Sequence, residues 1–361
     1  MLPREMNERL YYSSLDVQWL ASAAAPRIAL LEKVTSSQTV IENVRSGIAD
    51  DVQRLFPQDT RGLALALVTG DRTGIDAETR RSFSLAGTAH ILSVSGLHVG
   101  VIALVLLILL ARLRLPWLRF GLYITLLVMY MLLSGAQPSI VRATVMAILV
   151  FFASLHQREA HLFNVLCLAV FIMIVVTPQD IFSIGFYLSV ASLAGIALVY
   201  EPIEAFFHRF IPANRAWQRS VIASLSVSLS ASIIVGPLVA WFFSLYSVIS
   251  PLANLVVVPV TSLGMIYTFC AVLAAQVFEP VGMLFAFSAD ALFRCAGWAT
   301  TFAASLPGAA VHGEMALWVS LGMSAATVYV CTARSGRLAV FRGSVSAVVM
   351  VLAGALLYTT S

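Results

Sequence analysis

From residue 89 onward the chain is a succession of long apolar blocks separated by short polar turns. The blocks fall at about 89–111, 117–134, 139–156, 162–177, 181–200, 219–243, 247–275, 279–306, 316–332 and 343–359. A helix needs about 20 apolar residues to cross a hydrocarbon core of about 30 Å. The pattern therefore predicts an all-α, polytopic transmembrane bundle of about ten spans. Residues 1–61 differ: they are polar, and from Val40 the positions Val40, Ile41, Val44, Ile48, Val52, Leu55 and Phe56 repeat at helical spacing with charges on the other face. Such an amphipathic helix either lies on a membrane surface or packs against the bundle. Only Arg45 and Arg54 decorate its polar side, so packing is expected. The expected organisation is a soluble or amphipathic segment 1–61, a transmembrane domain 62–335 and a C-terminal hydrophobic span 336–361.

Breakers modify the pattern. Pro251 and Pro259 interrupt the seventh block, which predicts a broken or re-entrant helix, tolerated at membrane depth only inside protein or beside a wet cavity. In the sixth block, Gly236–Pro237 adjoins a serine-rich face of Ser224, Ser226, Ser228, Ser230 and Ser232, the composition of a close helix–helix contact.

Composition agrees with the pattern. Hydrophobic residues make up 60% of the chain and charged residues 11%, well below the roughly 25% charged of a soluble domain. No signal peptide opens the chain, so insertion is expected to begin at the first internal span. Lys33 is the sole lysine among 22 basic residues. That preference reflects either coding bias or the fitness of arginine forks for phosphate and for partly buried positions. Cys167, Cys270, Cys295 and Cys331 lie in apolar runs without ligand-like spacing, so they read as small core residues, and no metal or other cofactor is expected. Ten arginines fall in one set of alternate turns (Arg112, Arg114, Arg119, Arg158, Arg209, Arg215, Arg219, Arg334, Arg337 and Arg342). The other set (134–138, 178–180, 244–247 and 307–315) has none. By the positive-inside rule both termini are expected outside the cytoplasm, with Arg61, Arg72, Arg80 and Arg81 running against the trend.

A few polar positions stand out against this background. A short apolar helix ends at Gly70, and Gly74 allows a tight turn that leaves Asp71 and Arg72 at its mouth; alone, this is also what a solvated turn looks like. Ser93, Ser95, Gly96, His98 and Gly100 open the first span, with His98 as either a packed, satisfied histidine or a pathway-lining one. Ser95 with His98 lacks a nearby acid and a nucleophile elbow. Arg142 lies early in the third span, behind the helix-starting Pro138. An arginine there costs about 3 kcal/mol if central, less if it snorkels, and a polar path is the preferred reading. Asp290 and Arg294, spaced i and i+4, form either a buried structural pair or transport chemistry. Asn254, between the two prolines, either donates into a cavity or caps the break.

Taken together, Gly70-Asp71-Arg72-Thr-Gly74, His90 through Gly100 with its Ser95-Gly96-Leu-His98-Val-Gly100 core, and Ser134-Gly-Ala-Gln-Pro138-Ser-Ile-Val-Arg142 resemble the competence domain of the ComEC family, the inner-membrane DNA-uptake channels of natural transformation. Ile184-Gly-Phe186-Tyr187-Leu-Ser189 and the Pro251–Pro259 segment around Asn254 are similar to two further family stretches. The resemblance covers about residues 60–335. It implies a bundle through which one DNA strand reaches the cytoplasm, with a periplasmic DNA receptor and a cytoplasmic DNA-translocating ATPase as partners. Members often carry an outer OB-like domain and a metallo-β-lactamase-like nuclease. No His-x-His-x-Asp-His string occurs here, so a separate or removed nuclease is expected.

No Walker A string is present either. The leading expectation is thus a passive, non-enzymatic channel for single-stranded DNA in a bacterial inner membrane. Its path or gate would involve Asp71, Arg72, Ser95, Gly96, His98, Arg142, Asn254, Asp290 and Arg294. The alternative is a secondary transporter for a small anionic solute, coupled through Asp290 and Arg294.

Overall fold

A computed structural model describes residues 36–211 and 214–332. The expected span 343–359, the C-terminal segment 336–361 and Arg334, Arg337 and Arg342 lie outside the described residues. Within them the chain forms twelve α-helices: α1 (Ser36–Leu55), α2 (Gln58–Val68), α3 (Ala77–Leu85), α4 (Gly96–Leu109), α5 (Pro116–Leu133), α6 (Pro138–Leu155), α7 (Leu162–Val176), α8 (Ile184–Phe210), α9 (Ala216–Phe243), α10 (Ser250–Ala275), α11 (Glu279–Ser305) and α12 (Glu314–Thr332). Five of these, α5, α6, α8, α9 and α10, are long and apolar enough to cross a membrane, and α4 and α7 are shorter apolar helices. Proline stands in the first turn of α5, α6, α10 and α11, where its missing N–H is no loss. Large apolar side chains such as Trp117, Phe171, Phe287, Trp298 and Phe302 point out of the bundle, as a hydrocarbon solvent permits. The architecture is the expected all-α polytopic bundle.

α10 departs from expectation. It runs unbroken from Ser250 to Ala275. Pro251 simply starts the helix, and Pro259 is absorbed within it. Thr261 Oγ1 donates to the carbonyls of Val257 at 2.7 Å and Val258 at 3.1 Å, bracing the turn that Pro259 weakens, as hydroxyls do in apolar helices. The cysteines are a second correction. Among the cysteines whose side chains are described, Cys167 and Cys295 sit exposed on α7 and α11, and Cys270 is partly covered. In a helix that is apolar all round, a small apolar residue fits the outward face as well as the inner one.

The main core is built around α2. Leu63, Leu65 and Leu67 of α2 pack with Val52 and Phe56 of the α1 end, Phe83 of α3, Val257 and Met265 of α10 and Phe293 of α11. The second half of α1 therefore packs against the bundle as its stripe predicts, while Val40 and Val44 remain exposed. The position expected to separate segment 1–61 from the transmembrane domain falls inside α2. Glycine permits the closest approaches. At Gly195 a side chain would run into the carbonyl of Ser230, so α8 and α9 meet backbone to backbone along the serine-rich face.

One further element joins helix ends. β1 (Leu245–Ser247) pairs antiparallel with β2 (Ala310–His312), Tyr246 opposite Val311. The tie gathers the α9–α10 and α11–α12 connections at one end of the bundle. The same end carries the 68–88 segment, because Ser250 Oγ donates to the Gly87 carbonyl at 3.2 Å.

Candidate functional site

The α5–α6 turn and the segment after α2 meet at that end. Gly70, at φ +79°, takes a conformation that side chains rarely adopt, and a Cβ there would lie 2.8 Å from the Ser134 carbonyl oxygen. Ser134 Oγ donates to the Val68 carbonyl at 3.5 Å. Gly74 lies in the expected turn, closed by the Ile75 amide donating to the Arg72 carbonyl at 3.2 Å, and it also backs onto Gly62, where there is no room for a side chain. Asp71 Oδ1 accepts from the Thr73 amide at 2.9 Å and the Thr73 hydroxyl at 2.8 Å. These two bonds hold its carboxyl below the usual carboxylate range. Arg72 reaches across to Gln137, Nη2 to Oε1 at 3.3 Å, and its own carbonyl accepts from Arg80 Nη2 at 2.7 Å.

α4 begins beside α6. A Cβ on Gly96 would be 3.4 Å from the Ala143 Cβ and 3.9 Å from the Ser139 carbonyl oxygen, so the two helix starts abut on either side of Arg142. His98 has a role the sequence did not disclose. The backbone N–H of Ser95 donates to His98 Nδ1 at 3.1 Å, and the Ser95 hydroxyl lies 3.1 Å from the same nitrogen. The imidazole thus takes the place of the acid in a capping box. Because a backbone N–H only donates, Nδ1 is the acceptor and the neutral ring carries its proton on Nε2. That nitrogen is buried without a hydrogen-bond partner among the described residues.

Arg142 is the most unusual residue at this end. It is 1% exposed, the largest of the fully buried side chains. Its Nε and Nη1 have no hydrogen-bond partner among the described residues. Buried guanidinium groups ordinarily face a carboxylate or a wet cavity. His98 and Arg142 occupy neighbouring helices at one level, with no hydrogen bond recorded between them.

Two expected site groups lie elsewhere. Asn254 stands in the second turn of the continuous α10, so there is no break for it to cap. Its Nδ2 donates to Ser228 Oγ at 3.1 Å and Ser250 Oγ at 3.3 Å, and its buried Oδ1 has no partner among the described residues. Asp290 and Arg294 form a tie between α2 and α11. Asp290 accepts from Arg294 Nε at 2.9 Å and from the Thr60 hydroxyl, and Arg294 Nη1 reaches Asp59 at 3.4 Å.

Residues 67–337 match the family described as competence protein. The chain belongs to the competence protein family. It is 28% identical to ComE operon protein 3 of Bacillus subtilis (strain 168) over 232 residues, 63% of this chain and 27% of that protein. It is 25% identical to recombination protein 2 of Haemophilus influenzae over 277 residues, 72% of this chain and 34% of that protein. An uncharacterised protein of Aquifex aeolicus is 28% identical over 258 residues. The chain spans about a quarter to a third of the length of the first two relatives. No solved structure matches it. The competence-family match contains every expected site residue but begins inside α2. Arg45, Asp51, Asp59 and Thr60, which sequence reading passed over, bind the matched region from upstream. Arg45, expected on the polar side of its helix, instead falls on the Ile41, Ile48, Val52 line at i+4, a charge within the apolar stripe.

Proposed function

We propose that this bundle conducts single-stranded DNA across a bacterial inner membrane during natural transformation, entering at the end where Gly70–Arg72, Ser95–His98 and Ser134–Arg142 converge. Membership of the competence family and the names of the relatives support the reading. The observation that carries it is Arg142, a buried guanidinium whose Nε and Nη1 have no hydrogen-bond partner among the described residues and which a phosphate reaches only when the bundle parts beside it. A strand crossing lipid needs compensation for each phosphate in turn. An unpaired arginine beside the path supplies this by charge-assisted hydrogen bonding, and its isolation keeps the hold on any one phosphate brief. Arg72, Arg80 and Arg81 at the mouth collect the strand electrostatically. The channel is passive and non-enzymatic. Force comes from a cytoplasmic DNA-translocating ATPase, delivery from a periplasmic receptor, and degradation of the second strand from a nuclease outside the described bundle.

The secondary-transporter reading draws less support, because Asp290 and Arg294 are engaged with each other and with α2. The test is passage of a labelled single strand into proteoliposomes, scored by protection from external nuclease. Arg142→Ala should abolish passage at unchanged protein level and Arg142→Lys should retain part of it. Equal passage by wild type and Arg142→Ala overturns the proposal.

A further inference from the structure

Two helices end side by side at the proposed entrance. α2 stops at Val68 with Thr69 as its cap, and α5 stops at Leu133 with Ser134 as its cap. Each end carries carbonyls without helical donors and the negative pole of a helix dipole. Two such poles in contact repel each other and need a cation between them. Arg45, on α1, is that cation. Its Nε donates to the Leu133 carbonyl at 3.2 Å and its Nη2 to the Thr69 carbonyl at 3.3 Å. The α5–α6 turn is shaped around it, since at Gly135, φ +82°, a Cβ would come within 3.1 Å of Arg45 Nη2. Glu42, one turn back on α1, is 3.9 Å away and largely exposed, so the two carbonyls are the principal partners.

We propose that Arg45 is a positioning residue of the entrance, acting from upstream of the family-matched region. It sets the spacing between the Gly70–Arg72 segment and the Ser134–Gln137 turn, and thereby the Arg72–Gln137 contact. Its planar fork offers donors in two directions at once, which a lysine ammonium does not reproduce in fixed geometry. The inference rests on the DNA-entrance reading for its functional meaning, though the bridging itself does not.

Arg45 also helps fasten α1 to the bundle, so the experiment separates anchoring from positioning. The other end of α1 is held by Gln276 Nε2 donating to Asp51 Oδ2, and Gln276→Ala loosens α1 there without touching the entrance. Full-length wild type, Arg45→Ala, Arg45→Lys and Gln276→Ala are purified in detergent. Tryptic cleavage after Arg72 and Arg80 is timed, and strand passage is measured in proteoliposomes. Loss of two charge-assisted bonds predicts roughly tenfold faster cleavage in Arg45→Ala, an intermediate rate in Arg45→Lys and the wild-type rate in Gln276→Ala. Strand passage falls in the same order. Wild-type cleavage in Arg45→Ala, or equal acceleration by Gln276→Ala, overturns the positioning role. Faster cleavage with undiminished strand passage upholds the bridge and removes the DNA entrance from this end.

Discussion

Replacing Arg142 by methionine should make the protein more stable while closing it to DNA. Arginine at a helix centre costs about 2.5–3.5 kcal/mol on insertion scales. Arg142 is the fifth residue of α6, about 7 Å from its start at 1.5 Å per residue, so the cost is somewhat less than at the centre. Burial to 1% exposure prevents relief by snorkelling, and the unused Nε and Nη1 add the desolvation of unmade hydrogen bonds. Methionine fills similar space without a charge, so about 1–3 kcal/mol should be recovered, in line with other buried ions replaced by apolar groups. At about 2–4 °C per kcal/mol for chains somewhat shorter than this one, the unfolding midpoint should rise by up to several degrees. Intrinsic tryptophan fluorescence on heating in detergent reads the midpoint, and the proteoliposome assay reads passage on the same sample. A midpoint that falls would mean that Arg142 satisfies a partner in the resting protein, and the idea of a charge held in reserve for phosphate would fail.

Three other outcomes follow from the geometry. Asp290→Ala, which strands the buried Thr60 hydroxyl, should destabilise by about 1–3 kcal/mol, while Asp290→Asn keeps the Thr60 bond and is milder; thermal melts decide, and equal midpoints for both would contradict the tie. Gly195→Val forces a side chain against the Ser230 carbonyl and should cost roughly 1–3 kcal/mol or prevent folding, visible as aggregation on size exclusion. The Asp71 carboxyl is depressed by Thr73, so its contribution is present above the ordinary carboxylate range and lost as pH falls through the lowered value. Protection of the Thr73 amide from hydrogen exchange, corrected for the intrinsic pH dependence of exchange, should thus hold from neutral pH down to about 4 and weaken below, and Asp71→Asn should flatten that profile.

The long apolar blocks announced most of the helices, because a membrane leaves the backbone few alternatives. The turns 134–138, 244–247 and 307–315, grouped by their lack of arginine, do gather around the same segment. The misreading of α10 came from treating Pro259 as a breaker. In an apolar helix the chain can continue through a proline, with the Thr261 hydroxyl bracing the following turn through the Val257 and Val258 carbonyls, and a pattern of prolines does not show that. Gly70–Arg72, Gly96 and Arg142 come to one end of the bundle, an arrangement that the separate motifs do not state. The function of His98 as a cap was hidden because histidine seldom takes the position that glutamate or glutamine fills. Asp290 and Arg294 were visible as a pair, but their partners Thr60 and Asp59 lie more than two hundred residues away, beyond the reach of local pattern. Arg45 escaped because its ligands are main-chain carbonyls, which have no signature in sequence.

The burial of α2 bears on how the protein is made. Eleven residues of helix extend about 16 Å, half a hydrocarbon core, so α2 cannot be laid across the bilayer as an ordinary span while it emerges from the ribosome. Its partners on α1 and α3 are made at nearly the same time, but those on α10 and α11 are synthesised far later, and until they arrive the leucines of α2 are only partly covered. Assembly is therefore completed from the C-terminal side. The nascent chain thus carries Gln58–Val68 as a half-covered apolar helix through most of its synthesis.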